Sequence, residues 1–346
     1  MDIIFILYYV MNTIFNFNKG DRILNLLELF RKQGGFSLIK QFFHGGVLGT
    51  AMYEFLLLGK SRTALEILRL SVTLKIKQKL EKKYRRSLED FDRTFETSTK
   101  NSISNKVWFC WIQGLDNAPE IVNICYKQLQ KNLTSKEIVL LTKDNIHKYV
   151  VFPDFIQDKI NKGTITYTHM TDLLRLELLS QYGGTWIDAT VLCTSKEEEI
   201  PKYFFNSDLF FFQTLKPGLD GNATYLSSWY MNAKAHNKVI EATKYLCYEY
   251  WKENNSMIDY FLLHDFMSIV LDFYPEEHKK IIPRDNATPH ELLLRLFDRF
   301  DLKTWEAIIE QSPFHKLTYK FTPDSIEKDN TNYKKIIQKS GGVFFE

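Results

Sequence analysis

The sequence predicts an α/β protein, a mostly parallel sheet carrying an N-terminal helical lobe, on three observations. Apolar residues recur at helical spacing through much of the first hundred positions. Short apolar runs alternating with helical segments begin at Lys106, and those runs are apolar on both faces, as strands covered by helices on each side must be. The chain of 346 residues is long enough for one large domain or two, and its 45% hydrophobic and 25% charged residues are those of a packed globule. Disordered and collagen-like architectures are excluded.

Taken in order, the opening run MDIIFILYYVMNTIFNF carries Asp2 where a signal peptide has a basic region, and Asn12, Thr13 and Asn16 interrupt it. It reads as a packed or interfacial helix, neither a cleaved leader nor a membrane span. DRILNLLELFRKQGG and VLGTAMYEFLLLGK are helices broken at glycines, and a third helix starts behind Ser61 as its N-cap, with Leu65, Leu68, Val72 and Ile76 on one face. Between Lys60 and Lys100 stand twelve Lys and Arg against six Asp and Glu, densest from Lys75 to Arg86 around Glu81. That helix suits solvent or an anionic headgroup surface. The Ser, Thr and Asn of residues 94–105 mark a linker, dividing a helical lobe, 1–100, from an α/β domain, 101–346.

Beyond the linker, KVWFCW and EIVLLT are buried strands, with a helix from Pro119 to about Leu133 between them. The helix through HMTDLLRLELLSQY stops at Gly183 and Gly184, where a left-handed cap suits glycine, and TWIDATVLC follows as one strand. DLFFFQ is a further strand, then a mixed segment runs to Ala235. Helices are expected at about 237–254, 257–273 and 289–300. In parallel sheets ligands bind where the carboxyl ends of strands open, which singles out Asp188 behind Trp186 and Ile187.

Cys110, Cys125, Cys193 and Cys247 have no zinc or disulfide spacing and read as structural thiols of a reducing, cytoplasmic compartment. A net charge of +3 lacks the basic footprint of a nucleic-acid protein, and only Tyr84 interleaves with the basic run, so no nucleic-acid partner is expected.

Six ordered blocks, KVWFCWIQGLDNAPEIVNIC, THMTDLLRLELLSQYGGTWIDATVLCT, SSWYMNAKAHN, DYFLLHDFM, NATPHELL and SPFHKLTYK, resemble the bacterial capsular polysaccharide synthesis glycosyltransferases. These are related to family 32 sugar transferases and distantly to the large clostridial toxin glucosyltransferases. The resemblance spans roughly residues 100 to 320. It implies a GT-A domain that moves a sugar from a nucleoside diphosphate donor, expected to be a UDP-sugar, to a lipid-linked capsular or exopolysaccharide unit at the inner membrane face, with retention. A toxin-like transfer to protein and a silent sugar-nucleotide binder are the alternatives.

The family marks a metal-bearing strand end with Asp-X-Asp, and Asp188 takes the first position while Thr190 stands at the second. A hydroxyl is a poorer ligand than a carboxylate for Mn²⁺ or Mg²⁺, so the divalent cation is expected to be weakly held, with Asp188, Thr190 and His315 as its ligands. The resemblance assigns Lys316 and Lys320 to the diphosphate, and Asp172 with Arg175, three apart on one helix, to the donor sugar beside Asp188. Taken as isolated residues, this pair would be a surface ion pair. Trp111, with Gln113 and Gly114, is placed to stack on a base, and Trp186 to lie near the nucleotide. Ser227, Ser228 and Asn232, with Asp259, His264 and Asp265, are assigned to the donor and acceptor side, and Asn286 and His290 more remotely.

Overall fold

The computed structural model describes residues 35–59, 61–96, 104–216 and 223–338, so the opening apolar run, nearly all of the first helix expected after it and the centre of the linker lie outside the described residues. Helices α1 (Gly35–His44), α2 (Leu48–Leu58) and α3 (Arg62–Thr94) come first. The Ser61 side chain accepts from the Ala64 N–H and caps α3 as expected. Val72, Ile76, Leu80, Tyr84 and Leu88 form the buried stripe of α3, each one turn from the next.

Helices α6 (Lys238–Glu253) and α7 (Leu262–Phe273) receive that stripe, which belongs to the same apolar cluster as Trp108 and Leu176. Part of the basic run is spent internally. Lys77 is buried against Asp272 at 2.7 Å, Lys79 donates to the Gly45 carbonyl at 2.8 Å, and Lys83 meets Glu253 at 2.8 Å.

The central sheet has the order β2-β1-β3-β6-β5, built from β1 (Lys106–Cys110), β2 (Glu137–Leu141), β3 (Gly184–Asp188), β5 (Leu209–Gln213) and β6 (Leu226–Ala233). Strands β2, β1 and β3 run parallel; β6 is antiparallel to both of its neighbours, so β5 runs with the first three. Helix α4 (Glu120–Asn132) links β1 to β2, and α5 (Tyr167–Tyr182) leads into β3.

Three expectations change. TWIDATVLC is not one strand: the chain turns at Ala189 and Thr190, and β4 (Val191–Cys193) leaves the sheet to pair antiparallel with β7 (Phe314–Lys316). The segment read as mixed holds β6, whose side chains are buried along its whole length, so no alternation revealed it. The third C-terminal helix shrinks to single turns at Thr288–His290 and Glu291–Leu294.

Gly183 and Gly184 do more than end α5. Both have positive φ, and a Cβ on Gly184 would lie 2.4 Å from the Lys106 carbonyl oxygen. The Gly183 carbonyl accepts from Trp108 Nε1 at 2.9 Å, which locks the α5–β3 turn against β1. Gly184→Ala is therefore expected to destabilise by about 2–4 kcal/mol, read as a lowered urea midpoint at unchanged slope.

All four cysteines are free and buried. Burial pushes the thiols of Cys110, Cys125 and Cys193 up to about 12, which keeps them protonated.

Candidate active site

Strands β1 and β3 end side by side, with Cys110 in register with Asp188. Trp111 leaves β1 at this edge, and Asp188 is the last residue of β3. The turn into β4 and the β4–β7 pairing set Val191 opposite Lys316, which carries a lysine from the far end of the chain to the same edge. Lys316 Nζ donates to Thr190 Oγ1 at 2.6 Å and lies 3.5 Å from Asp188 Oδ2.

Arg175 approaches from the other side. Its Nη2 is 3.5 Å from Asp188 Oδ1 and 3.3 Å from Asp172 Oδ1, while Nη1 donates to the Ser228 carbonyl at 2.6 Å. The guanidinium sits 4.9 Å over the Trp186 ring, whose Nε1 donates to Asp188 Oδ1 at 2.9 Å. Asp188 is thus a carboxylate between two fixed cations.

Asp172 and Arg175 are 7% and 5% exposed, so theirs is a buried pair and not the surface contact their spacing alone suggests. Burial raises the Asp172 pKa, but the Arg175 charge and the His169 hydrogen bond outweigh it and hold the carboxyl below its ordinary value.

His169, unforeseen in the sequence, lies 3.4 Å from Asp172 Oδ2 through Nδ1. Its Nε2 faces Trp251 Nε1–H at 2.8 Å, and because an indole nitrogen only donates, Nε2 is the acceptor and the ring proton sits on Nδ1. The signal was present as a second three-residue step, His169 to Asp172 to Arg175.

His264 lies close enough to feel the charges of Asp172, Arg175 and Asp188, and burial lowers its pKa to about 4, so the ring is neutral. Three buried nitrogens here have no hydrogen-bond partner among the described residues: His264 Nδ1, Arg175 Nε and Trp111 Nε1. Native proteins rarely leave such groups unpaired, so a ligand or ordered water is expected to complete their bonding. Trp111 is half-buried and meets Tyr319 edge to face at 5.3 Å, with Lys320 Nζ 5.8 Å from the Tyr319 ring. Gln113 is exposed beyond Trp111.

Other residues are placed differently from expectation. Trp186 is 2% exposed and supports Arg175 and Asp188 from beneath, so it offers no open face to a nucleotide. Ser228 serves through its carbonyl, while Ser227 Oγ is buried without a partner among the described residues. Asn232 pairs with Thr185 near the opposite end of β3, accepts from its Oγ1, and donates to the Ser207 carbonyl ahead of β5. Asp259 accepts from the Phe261 N–H ahead of α7, and burial raises its pKa. Asp265 is buried behind it, and Asn286 accepts from Trp229 Nε1 while its carbonyl meets His290.

His315 is fully buried. Successive residues of a strand face opposite ways, and with Lys316 aimed at Thr190 and Asp188 the ring of His315 points away from them. The expected ligand set of Asp188, Thr190 and His315 is therefore not assembled, and no group of three or more His, Cys, Asp or Glu among the described residues could hold a metal ion. Thr190 already accepts from an ammonium, and Asp188 is flanked by two cations that would repel a third. These residues do not fit a divalent cation.

Burial lowers the pKa of His315 to about 4, like that of His264. Both rings charge in the unfolded chain below about 6.5 but resist charging when folded, so the unfolded state binds more protons between those limits. Stability is expected to fall as pH drops from about 6.5 towards 4, by about 2–3 kcal/mol for each ring. Urea midpoints at successive pH values check this, and His315→Leu should flatten the slope.

Residues 62–336 match the model of a family described as capsular polysaccharide synthesis protein. A solved structure titled PaToxG Glycosyltransferase aligns with 76% of this chain and 95% of its own at 14% identity and a TM-score of 0.35. No curated protein matches the chain.

Proposed function

From a chain that belongs to the capsular polysaccharide synthesis protein family, we propose a glycosyltransferase that moves a sugar from a nucleoside diphosphate donor, a UDP-sugar, to a hydroxyl of a lipid-linked polysaccharide unit. The observation that carries this reading is the cation pair of Lys316 and Arg175 around Asp188 at the carboxyl edge of the sheet, beside three unpartnered buried nitrogens. A departing diphosphate is a concentrated anion, and fixed cations in a partly dehydrated site stabilise it as its charge develops.

In this reading Trp111 and Tyr319 take the base, Lys316 and the Thr190 hydroxyl take the diphosphate, and Lys320 borders its path. Asp188 and Asp172 orient the donor through hydroxyls, with Arg175 held rigid by Ser228, Asp172 and the Trp186 face. The neutral His264 accepts a hydroxyl proton through Nδ1 or donates from that atom, according to tautomer.

Both carboxylates of the cluster are engaged by Arg175, and neither stands free as a nucleophile. With retention, as the resemblance implies, transfer proceeds on one face without a covalent enzyme intermediate. The bond from the anomeric carbon to the diphosphate oxygen breaks, its electron pair leaving with the diphosphate. The acceptor oxygen bonds to the same carbon, and its proton passes to the departing phosphate oxygen.

The test is UDP release from a panel of UDP-sugars, with Asp188→Ala alongside. One donor hydrolysed by the wild type and spared by the variant supports the reading. A chain that neither hydrolyses any donor nor binds UDP contradicts it.

A further inference from the structure

We propose that the α2–α3 hairpin is a docking surface for an anionic lipid bilayer. The two helices pack together and are separated by three residues in sequence. On α2 the outward residues are Met52, Tyr53, Leu56 and Leu57, with Tyr53, Leu56 and Leu57 about two-thirds exposed at 64–65%. Ile67, Leu70 and Leu74 of α3 are exposed at 41–46%. Single exposed leucines are ordinary on a soluble surface, but a run of large apolar side chains on two adjoining helices is not.

The charge along α3 selects the occupant. Away from its buried stripe, the exposed Ile67, Leu70 and Leu74 of α3, with the paired Glu66 and Arg69 between them, give way to the exposed Lys75, Lys82, Arg85 and Arg86, ahead of an acidic end at Glu89, Asp90 and Asp92. Arg85 pairs with Glu89, whereas Lys75, Lys82 and Arg86 have no ion pair among the described residues; Glu81 is the one half-buried acid within this stretch. Apolar side chains beside free cations match a membrane interface, where acyl chains lie next to phosphate headgroups.

A second copy of the chain fits poorly, because an isologous contact through this surface would bring the two basic segments together. Among the described residues no helix is long and apolar enough to cross a membrane. This inference does not depend on which reaction the site performs.

The experiment is flotation of the full chain with phosphatidylcholine vesicles, with and without about one-third phosphatidylglycerol. Three proteins are compared: the wild type, the apolar variant Leu56→Ser/Leu57→Ser/Leu70→Ser, and the basic variant Lys75→Glu/Lys82→Glu/Arg86→Glu. All six positions are exposed, and a circular dichroism melt confirms that each variant folds. The wild type should float with the anionic vesicles and much less with the neutral ones. At about fivefold per lost positive charge near the surface, the basic variant should partition at least 100-fold more weakly, and the apolar variant should also lose binding. Wild-type flotation that both variants retain would place any binding elsewhere, in the apolar N-terminal sequence for example, and would overturn the proposal. So would a wild type that ignores anionic vesicles, or one that self-associates through Leu56 and Leu57 instead.

Discussion

Lys316→Ala is expected to lower UDP release from the donor by about 10²–10³, while EDTA leaves the wild type within about twofold of its untreated rate. The two results belong together. Lys316 Nζ sits 3.5 Å from Asp188 and 2.6 Å from Thr190, so its charge occupies the place where Asp-X-Asp enzymes are expected to put a dication. The Lys316 side chain is 20% exposed, so its loss removes the charge without opening a large buried cavity. The thermal midpoint should move little. If chelation abolishes turnover and Mn²⁺ restores it, the cation pair is not the leaving-group stabiliser.

The second large effect is expected at Asp172. Asp172→Asn should cut turnover at least 100-fold, because Arg175 then loses the partner that aims it at Asp188. Unlike Lys316→Ala, it should also cost stability, since it breaks a buried ion pair; about 3 kcal/mol is the scale for removing one partner. The sign with pH follows from the lowered carboxyl. Its contribution is fully present above the unfolded value of about 4 and is lost as pH falls through the lower folded value. The wild type should therefore lose an acid-side increment of stability that Asp172→Asn lacks. Retained turnover, or a variant as stable as the wild type at pH 7, would sink this account of the pair.

How much of this was legible beforehand depended on whether a signal was local. The capping of α3 by Ser61, the parallel β1–β2 opening, the Gly183–Gly184 stop and the emergence of Asp188 at a strand end all rest on neighbours in sequence, and each appears in the fold. Strand β6 was missed because burial on both faces erases alternation. The break at Ala189 and Thr190 was missed because β4 pairs with a strand more than a hundred residues away, and no local rule foretells that partner.

The site follows the same division. Asp188, Arg175 and Lys316, all candidates from the sequence, lie together. That Asp172 and Arg175 are buried, that Trp186 lies beneath the guanidinium and that His315 faces away from Lys316 are matters of packing and strand register. Trp251, which fixes the His169 tautomer, sits 82 residues from its partner.

The most direct test of the cation pair is a calorimetric titration of UDP into the full chain in the presence of EDTA. The account predicts saturable one-to-one binding to the wild type that Lys316→Ala loses. Binding that appears only when Mn²⁺ is supplied, or that survives the loss of Lys316 unchanged, would contradict it.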